Sequence, residues 1–236
     1  MNAILEIKGL SGGYLLGVDI LQDVNLAIEV GEAVGIIGLN GSGKSTLGKA
    51  IVNLIPIREG EILYKGVPVK DMSASDLSQQ GVVIMQQGGR VFRTMSVWDN
   101  LQLAFSTKNR QVMDILTEII PLLQRSKREL RYRMADRLSG GERHQLALAM
   151  TLAQQPQLVI LDEPSAGLSP KAVDEMYRML TLAKEKLGIS ILLIEQNIAK
   201  AIAFCNRCAL LSQGQITHTF TNQNIEEVEK IMFNIK

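Results

Sequence analysis

The sequence predicts an α/β fold: a parallel-sheet core with an antiparallel N-terminal β layer and an inserted α-helical subdomain. Three observations predict it. Residues 38–46, GLNGSGKST, place a glycine-rich turn between an apolar run and a helix-type stretch. Val24, Leu26, Ile28 and Val30 alternate with Asn25, Ala27 and Glu29, the period of a half-buried strand. Two short apolar runs, LVIL (Leu158 to Leu161) and ISILLI (Ile189 to Ile194), enclose a stretch with Val173, Met176, Leu180, Ala183 and Leu187 on one helical face. Strand, helix, strand of this kind implies a right-handed crossover within a parallel sheet.

In chain order, Glu32 to Ile37 (EAVGII) is a strand leading into the glycine-rich turn, and Leu47 to Leu54 (LGKAIVNL) suits a helix. Ile62 to Val69 predicts a hairpin turning at Lys65-Gly66. From about Asn100 to Arg137 the pattern is helical and charged, with no strand candidate. The 236 residues thus predict a single domain, 1–236, with its core at about 1–88 and 156–236 and a helical subdomain at about 89–155.

A net charge of +1 with 21% charged residues argues against non-specific nucleic-acid binding or an acidic substrate. No apolar run approaches the ~20 residues that span a bilayer. The start MNAILEIKG lacks the basic and apolar regions of a signal peptide, so a soluble chain on the cytosolic side is expected. Cys205 and Cys208 form a C-x-x-C pair, but no second pair completes a zinc set, and Cys205 follows the run IAKAIAF instead of opening a helix. Buried thiols acting as small hydrophobes are the simpler reading. The basic stretch RSKRELRYR (Arg125 to Arg133) reads as a solvated helical face.

Chemistry concentrates in three segments. GLNGSGKST satisfies G-x-x-x-x-G-K-[ST] in the strand, loop, helix context the motif requires. Gly38, Asn40, Gly41, Ser42 and Gly43 would curl backbone N–H groups around phosphate oxygens at a helix start. Lys44 would reach the β and γ phosphates of a nucleoside triphosphate, and Ser45, followed by Thr46, would hold Mg²⁺. Second, LVIL ends in Asp162-Glu163, acids at the carboxyl end of a buried strand. Asp162 suits Mg²⁺, and Glu163 could polarise an attacking water as general base. Third, LSGGE (Leu138 to Glu142) precedes a helical run; Ser139 is a good N-cap, while Gly140 and Gly141 weaken a helix start unless close backbone approach is wanted.

LSGGE resembles the signature of ATP-binding-cassette (ABC) ATPases, and with GLNGSGKST and LVILDEPSAGL it covers nearly the whole chain in that family's order. The resemblance implies the phosphate-loop NTPase core of an ABC ATPase. It implies a dimer in which each ATP lies between one subunit's phosphate loop and Ser139, Gly140 and Gly141 of the other. Tyr14, in LSGGY, matches the aromatic residue that stacks on adenine. Gln87, with Gln86 as the alternative register, matches the glutamine that links Mg²⁺ and attacking water to the membrane subunit. Val91, Phe92, Met95 and Trp98 follow it, and core packing or a groove for a permease's coupling helix would each explain them.

Two departures stand out. Ser169 occupies a position where many relatives carry aspartate, and with Pro170 it fits an N-cap and first-turn proline. Gln196, in LLIEQN, stands where the family has a switch histidine; it can donate a hydrogen bond to the γ phosphate but carries no proton. GRVF, SAGLSP and LLIEQN together are similar to the LivF-type ATP-binding subunit of branched-chain (hydrophobic) amino-acid importers. The resemblance implies an ATPase peripheral on the inner face of the membrane. Its partners would be a second ABC ATPase subunit in a heterodimer or homodimer, transmembrane permease subunits and an extracytoplasmic substrate-binding protein, with no nucleic acid. The alternatives are an ATPase of the lipopolysaccharide-exporter type, a non-transport cassette acting on nucleic acid, and a degenerate cassette that only binds ATP.

Overall fold

The computed structural model describes residues 3–15, 18–105, 110–221 and 225–233, so positions 106–109 of the predicted helical stretch lie outside the described residues. Strands β1 (Ala3–Gly12), β2 (Leu21–Glu29), β4 (Ile57–Tyr64) and β5 (Val67–Pro68) form an antiparallel sheet in the order β2-β1-β4-β5. In β2, Val24, Leu26 and Ile28 point into the core and Asn25 and Ala27 into solvent. Val30 lies beyond the strand and is 56% exposed, so the alternation ends one residue pair earlier than its sequence pattern. The predicted hairpin turns at Lys65 and Gly66, both at positive φ (50° and 76°), the geometry that matches strand twist.

The second sheet has the order β10-β9-β3-β8-β7-β6, from β3 (Ala33–Ile37), β6 (Val82–Met85), β7 (Leu158–Asp162), β8 (Ser190–Glu195), β9 (Arg207–Ser212) and β10 (Gln215–Phe220). All neighbours are parallel except the edge strand β10. Every residue of β3, β7 and β8 is buried, because both faces of the sheet are covered. Alternate side chains therefore enter different cores. Val159, Leu161, Ile191 and Leu193 pack on one side with helices α6 (Gly140–Ala153) and α7 (Pro170–Leu187). Leu158, Ile160, Leu192 and Ile194 pack on the other with α1 (Lys44–Ile51) and the antiparallel layer. Truncating one of them, Ile160→Ala, would cost ~2–5 kcal/mol through the cavity it leaves.

Helix α1 starts three residues earlier than LGKAIVNL suggests and ends at Ile51, because Gly43 caps it from φ 104° and Asn53 turns left-handed at φ 52°. The inserted region supplies α3 (Val97–Ala104), α4 (Arg110–Ile119) and α5 (Lys127–Tyr132) before α6. Together with α2 (Ala74–Gln79), helices α3, α5 and α6 begin with the same device: a serine at 73, 96, 126 or 139 accepts the N–H of an Asp or Glu three residues on. Such caps are each worth ~1 kcal/mol and set where these short helices start. Ser169 departs from this pattern. It stands at the N-cap of α7 ahead of Pro170, but its side chain makes no capping bond, so a local capping role does not account for the serine.

Candidate functional site

Strand β3 delivers the chain into the phosphate loop, and two glycines there are required by geometry. A Cβ on Gly38 would stand 2.2 Å from the Leu211 carbonyl oxygen, and Gly43 adopts φ 104°. The loop ends at the N-terminus of α1, where the first N–H groups have no partner within the helix. Lys44 is buried, its ammonium donating to the carbonyls of Gly38 (2.9 Å) and Leu39 (3.0 Å). Burial pulls its pKa below the ordinary value, opposed by Glu163, Asp162 and Glu195. The buried Ser42 hydroxyl has no hydrogen-bond partner. A buried orphan hydroxyl beside unpaired helix-start N–H groups fits an anion cradle.

Strand β7 runs parallel beside β8 and carries Asp162 to the same end of the sheet. Ser45 Oγ donates to Asp162 Oδ1 at 2.8 Å across 117 residues of sequence. Burial pushes the Asp162 carboxyl above the ordinary carboxylate range, with Glu163 adding to it and the Ser45 bond, Lys49 and Lys44 opposing. A buried carboxylate next to a hydroxyl favours an oxygen-seeking cation. Ser45 and Asp162 would hold Mg²⁺, which usually takes one or two protein oxygens beside water and phosphate. Gln87, expected as a third metal residue, is bonded elsewhere.

Its Nε2 donates to Glu163 Oε2 at 2.7 Å, and Gln196 Nε2 donates to Glu163 Oε1 at 2.6 Å. One carboxylate thus joins the segment after β6, the end of β7 and the loop after β8. Glu163 is buried and held at φ 49°, a left-handed conformation that costs a non-glycine residue ~1–3 kcal/mol. Its N–H bonds to Ile194 O at 2.9 Å. Of the two glutamine registers, Gln87 is the one bonded to Glu163.

Tyr14 is 48% exposed, its hydroxyl accepting from Lys49 Nζ at 3.1 Å, with the ammonium 5.3 Å from the ring centroid. Lys49 lies on α1, so the ring is tied to the helix that opens at the phosphate loop. Ser139, Gly140 and Gly141 are not brought to the loop: they open α6, and Gly141 borders a cavity of about 260 Å³ with Ser169 and Ala172 of α7. Neither glycine is demanded by its own chain. A Cβ at Gly140 would meet nothing closer than Arg143 Nη2 at 3.9 Å, and at Gly141 nothing closer than Ala172 Cβ at 3.5 Å.

Most of the basic stretch 125–133 is the solvated face its sequence suggests, with Lys127, Arg128 and Arg131 exposed, but Arg125 and Arg133 also reach a distant partner. Arg125 and Arg133 each donate to Glu142 at 2.9 Å, and Glu142 completes the capping box of Ser139. Burial opposes its charge, but the two Ser139 bonds and both arginines hold the Glu142 carboxyl below its ordinary range. The spacing Arg125, Arg133, Glu142 crosses three helical segments, so no local pattern shows it. Val91, Met95 and Trp98 are half-buried and Phe92 is 55% exposed, so Phe92 is not core. Cys205 and Cys208 are free thiols, the hydrogen bond between them pushing Cys205 up. Among the described residues no group of three or more His, Cys, Asp or Glu forms a metal cage, and no helix is long and apolar enough to cross a membrane.

Comparison with known proteins bears on this geometry. The ABC transporter family model matches residues 21–166. The chain is 32% identical over 231 residues to the probable branched-chain amino acid transport ATP-binding protein LivF of Archaeoglobus fulgidus, covering 96% of each chain. It is 30% identical to the lipopolysaccharide export system ATP-binding protein LptB of Escherichia coli K12, covering 97% of this chain and 95% of that one. A solved ATP-binding subunit of an ABC transporter superposes with a TM-score of 0.79 at 27% identity, covering 98% of this chain and 94% of the other. Phosphate loop, paired carboxylates and helix-opening LSGGE stand in one α/β core with relatives matched end to end, and the chain is an ATPase that belongs to the ABC transporter family.

Proposed function

We propose that this chain energises a membrane importer of branched-chain or other hydrophobic amino acids, binding ATP at its phosphate loop and hydrolysing it with Glu163 as general base. The observation that carries the chemistry is the Gln87–Glu163–Gln196 bridge next to the Ser45–Asp162 pair. In this reading Asn40 to Thr46 cradle the phosphates, Lys44 exchanges its two carbonyl partners for phosphate oxygens, and Tyr14 stacks on adenine. Mg²⁺ bound at Ser45 and Asp162 would neutralise phosphate charge, and Glu163 would take the proton of the attacking water. Gln196 would hold Glu163 and meet the γ phosphate as a neutral donor.

The two glycines that this chain does not need for its own packing support a site completed by a second cassette. Their bare backbone would approach ATP held by the partner's loop, with Ser139 beside them. Residues 89–155 would serve as the helical subdomain, with Val91, Phe92, Met95 and Trp98 facing a permease on the inner side of the membrane. An extracytoplasmic binding protein would deliver cargo. Support for amino-acid cargo comes from the resemblance to LivF and from Gln196 within LLIEQN; export of the LptB type is the second reading.

Gln196 favours an asymmetric pair, in which this chain's own site turns over slowly and its signature completes a faster site on a histidine-bearing partner. In vesicles carrying the cognate permease, ATP-dependent leucine uptake is expected, and Ser139→Arg in this chain should reduce coupled hydrolysis more than Gln196→Ala does. Permease-stimulated ATPase activity without amino-acid uptake would refute the cargo. Full coupled activity from a homodimer of this chain would refute the asymmetry.

A further inference from the structure

The Gln196 amide is aimed at Glu163 by a loop whose shape depends on the residue before it. Glu195 ends β8 and is 2% exposed in a strand otherwise built of Ser, Ile and Leu. Removing a carboxylate from water is costly unless donors surround it, and here the donors are neutral. Its Oε2 accepts the backbone N–H of Gln196 at 2.9 Å and of Asn197 at 3.1 Å. Its Oε1 accepts the Ser165 hydroxyl at 2.5 Å. Gln196 and Asn197 belong to the loop after β8. Ser165 belongs to the turn that starts at Glu163, where the Ala166 N–H bonds to Glu163 O at 3.1 Å. One buried side chain therefore ties together the two segments whose side chains meet in the Glu163–Gln196 bond.

Helix capping does not explain this. The helix that follows, α8 (Ile198–Phe204), is already capped by Asn197, whose side chain accepts from the Lys200 N–H at 3.1 Å. Glu195 instead takes two consecutive N–H groups at the point where the chain leaves the strand, which fixes the direction in which the Gln196 side chain departs. We propose that Glu195 is a positioning residue for ATP hydrolysis, holding the Gln196 amide and the Glu163 carboxylate in register through Ser165 and the 196–197 backbone. This rests on the reading of Glu163 and Gln196 given above.

The positioning works through hydrogen bonds and not through charge. Glu195→Gln can keep every tie: its carbonyl oxygen accepts the two N–H groups, and its NH₂ faces the Ser165 hydroxyl, which accepts as readily as it donates. Glu195→Ala keeps none. Steady-state ATP turnover of the full chain, resolved into kcat and KM, reads the difference. Glu195→Ala is expected to lower kcat about tenfold or more with KM for ATP within about twofold, and Glu195→Gln to stay within about threefold of the parent. In a Gln196→Ala background Glu195→Ala should cost less than about twofold, because its effect runs through the missing amide.

Ser165→Ala removes one tie and leaves the strand untouched; its smaller kcat loss should likewise vanish in the Gln196→Ala background. If Glu195→Ala does not fold, Ser165→Ala decides alone. Losses that add to that of Gln196→Ala, a KM that rises as kcat falls, no loss at Ser165→Ala, or a Glu195→Gln as impaired as Glu195→Ala would each overturn the proposal. Should Glu163→Gln and Gln196→Ala themselves turn over like the parent, the reading of the site falls and this proposal with it. Slow turnover in both, with unimpaired Glu195 variants, removes this proposal only.

Discussion

Replacing Glu163 by glutamine separates its chemical role from its structural one. The carboxylate accepts from two amides, at 2.7 and 2.6 Å. A glutamine offers one acceptor oxygen and one NH₂, so either Gln87 or Gln196 must turn its amide to keep its bond. Both are exposed enough to do so. What remains lost is charge assistance, about 1 kcal/mol per bond. The backbone strain at φ 49° is the same for Glu and Gln, so the two weakened bonds set the stability loss, about 2 kcal/mol or a fall of about 4–8 °C in Tm. Chemistry should change far more. General base catalysis contributes about 10²–10⁴-fold, or ~3–5 kcal/mol of barrier. The variant should bind ATP by calorimetry as the parent does, release phosphate at least about a hundredfold more slowly, and elute as a dimer when ATP is present. Turnover equal to the parent would refute the role of Glu163, and a tenfold loss, ~1.4 kcal/mol, would reduce it to a minor contribution.

Lys44→Ala should abolish tight ATP binding, because a buried ammonium already surrounded by carbonyl oxygens is the point charge for the phosphates; Tyr14→Ala should weaken it only moderately, and unchanged calorimetric affinity in both would refute the binding mode. The pH dependence follows from Asp162, whose folded pKa lies above the ordinary 3.8. Protonation of that carboxyl stabilises the nucleotide-free fold; this contribution is complete below 3.8 and is lost as pH rises through the elevated folded value. Mg²⁺ requires the ionised form, so Mg²⁺-ATP affinity should fall on acidification through that window while Asp162→Asn binds weakly with a flatter profile. An acid-insensitive parent measured by titration calorimetry would contradict this.

The sequence by itself determined the phosphate loop, the acids after LVIL, the helix start at LSGGE and the parallel strands. Each is encoded locally: a glycine spacing, an apolar run of strand length, a serine three residues before an acid. Gln196 was legible as a departure from a family pattern, but its bond to Glu163 was not, because 33 residues, helix α7 and strand β8 separate the two. The same holds for Ser45 and Asp162, joined only when β7 lies beside β8 next to β3. Local reading falls short at residues whose meaning depends on a distant partner. The exposed basic face gave no sign that Arg125 and Arg133 reach Glu142 at the start of α6, and Ser169 looks like a cap until its side chain is found to make no capping bond. Glu195 ends an apolar run as Asp162 does, but the run does not encode whether such an acid faces a ligand or ties two loops together. Periodicity and motif spacing report what a residue does with neighbours along the chain. Which side chains share a hydrogen bond across the sheet's carboxyl end is decided by strand order and register, and those exist only in the folded molecule.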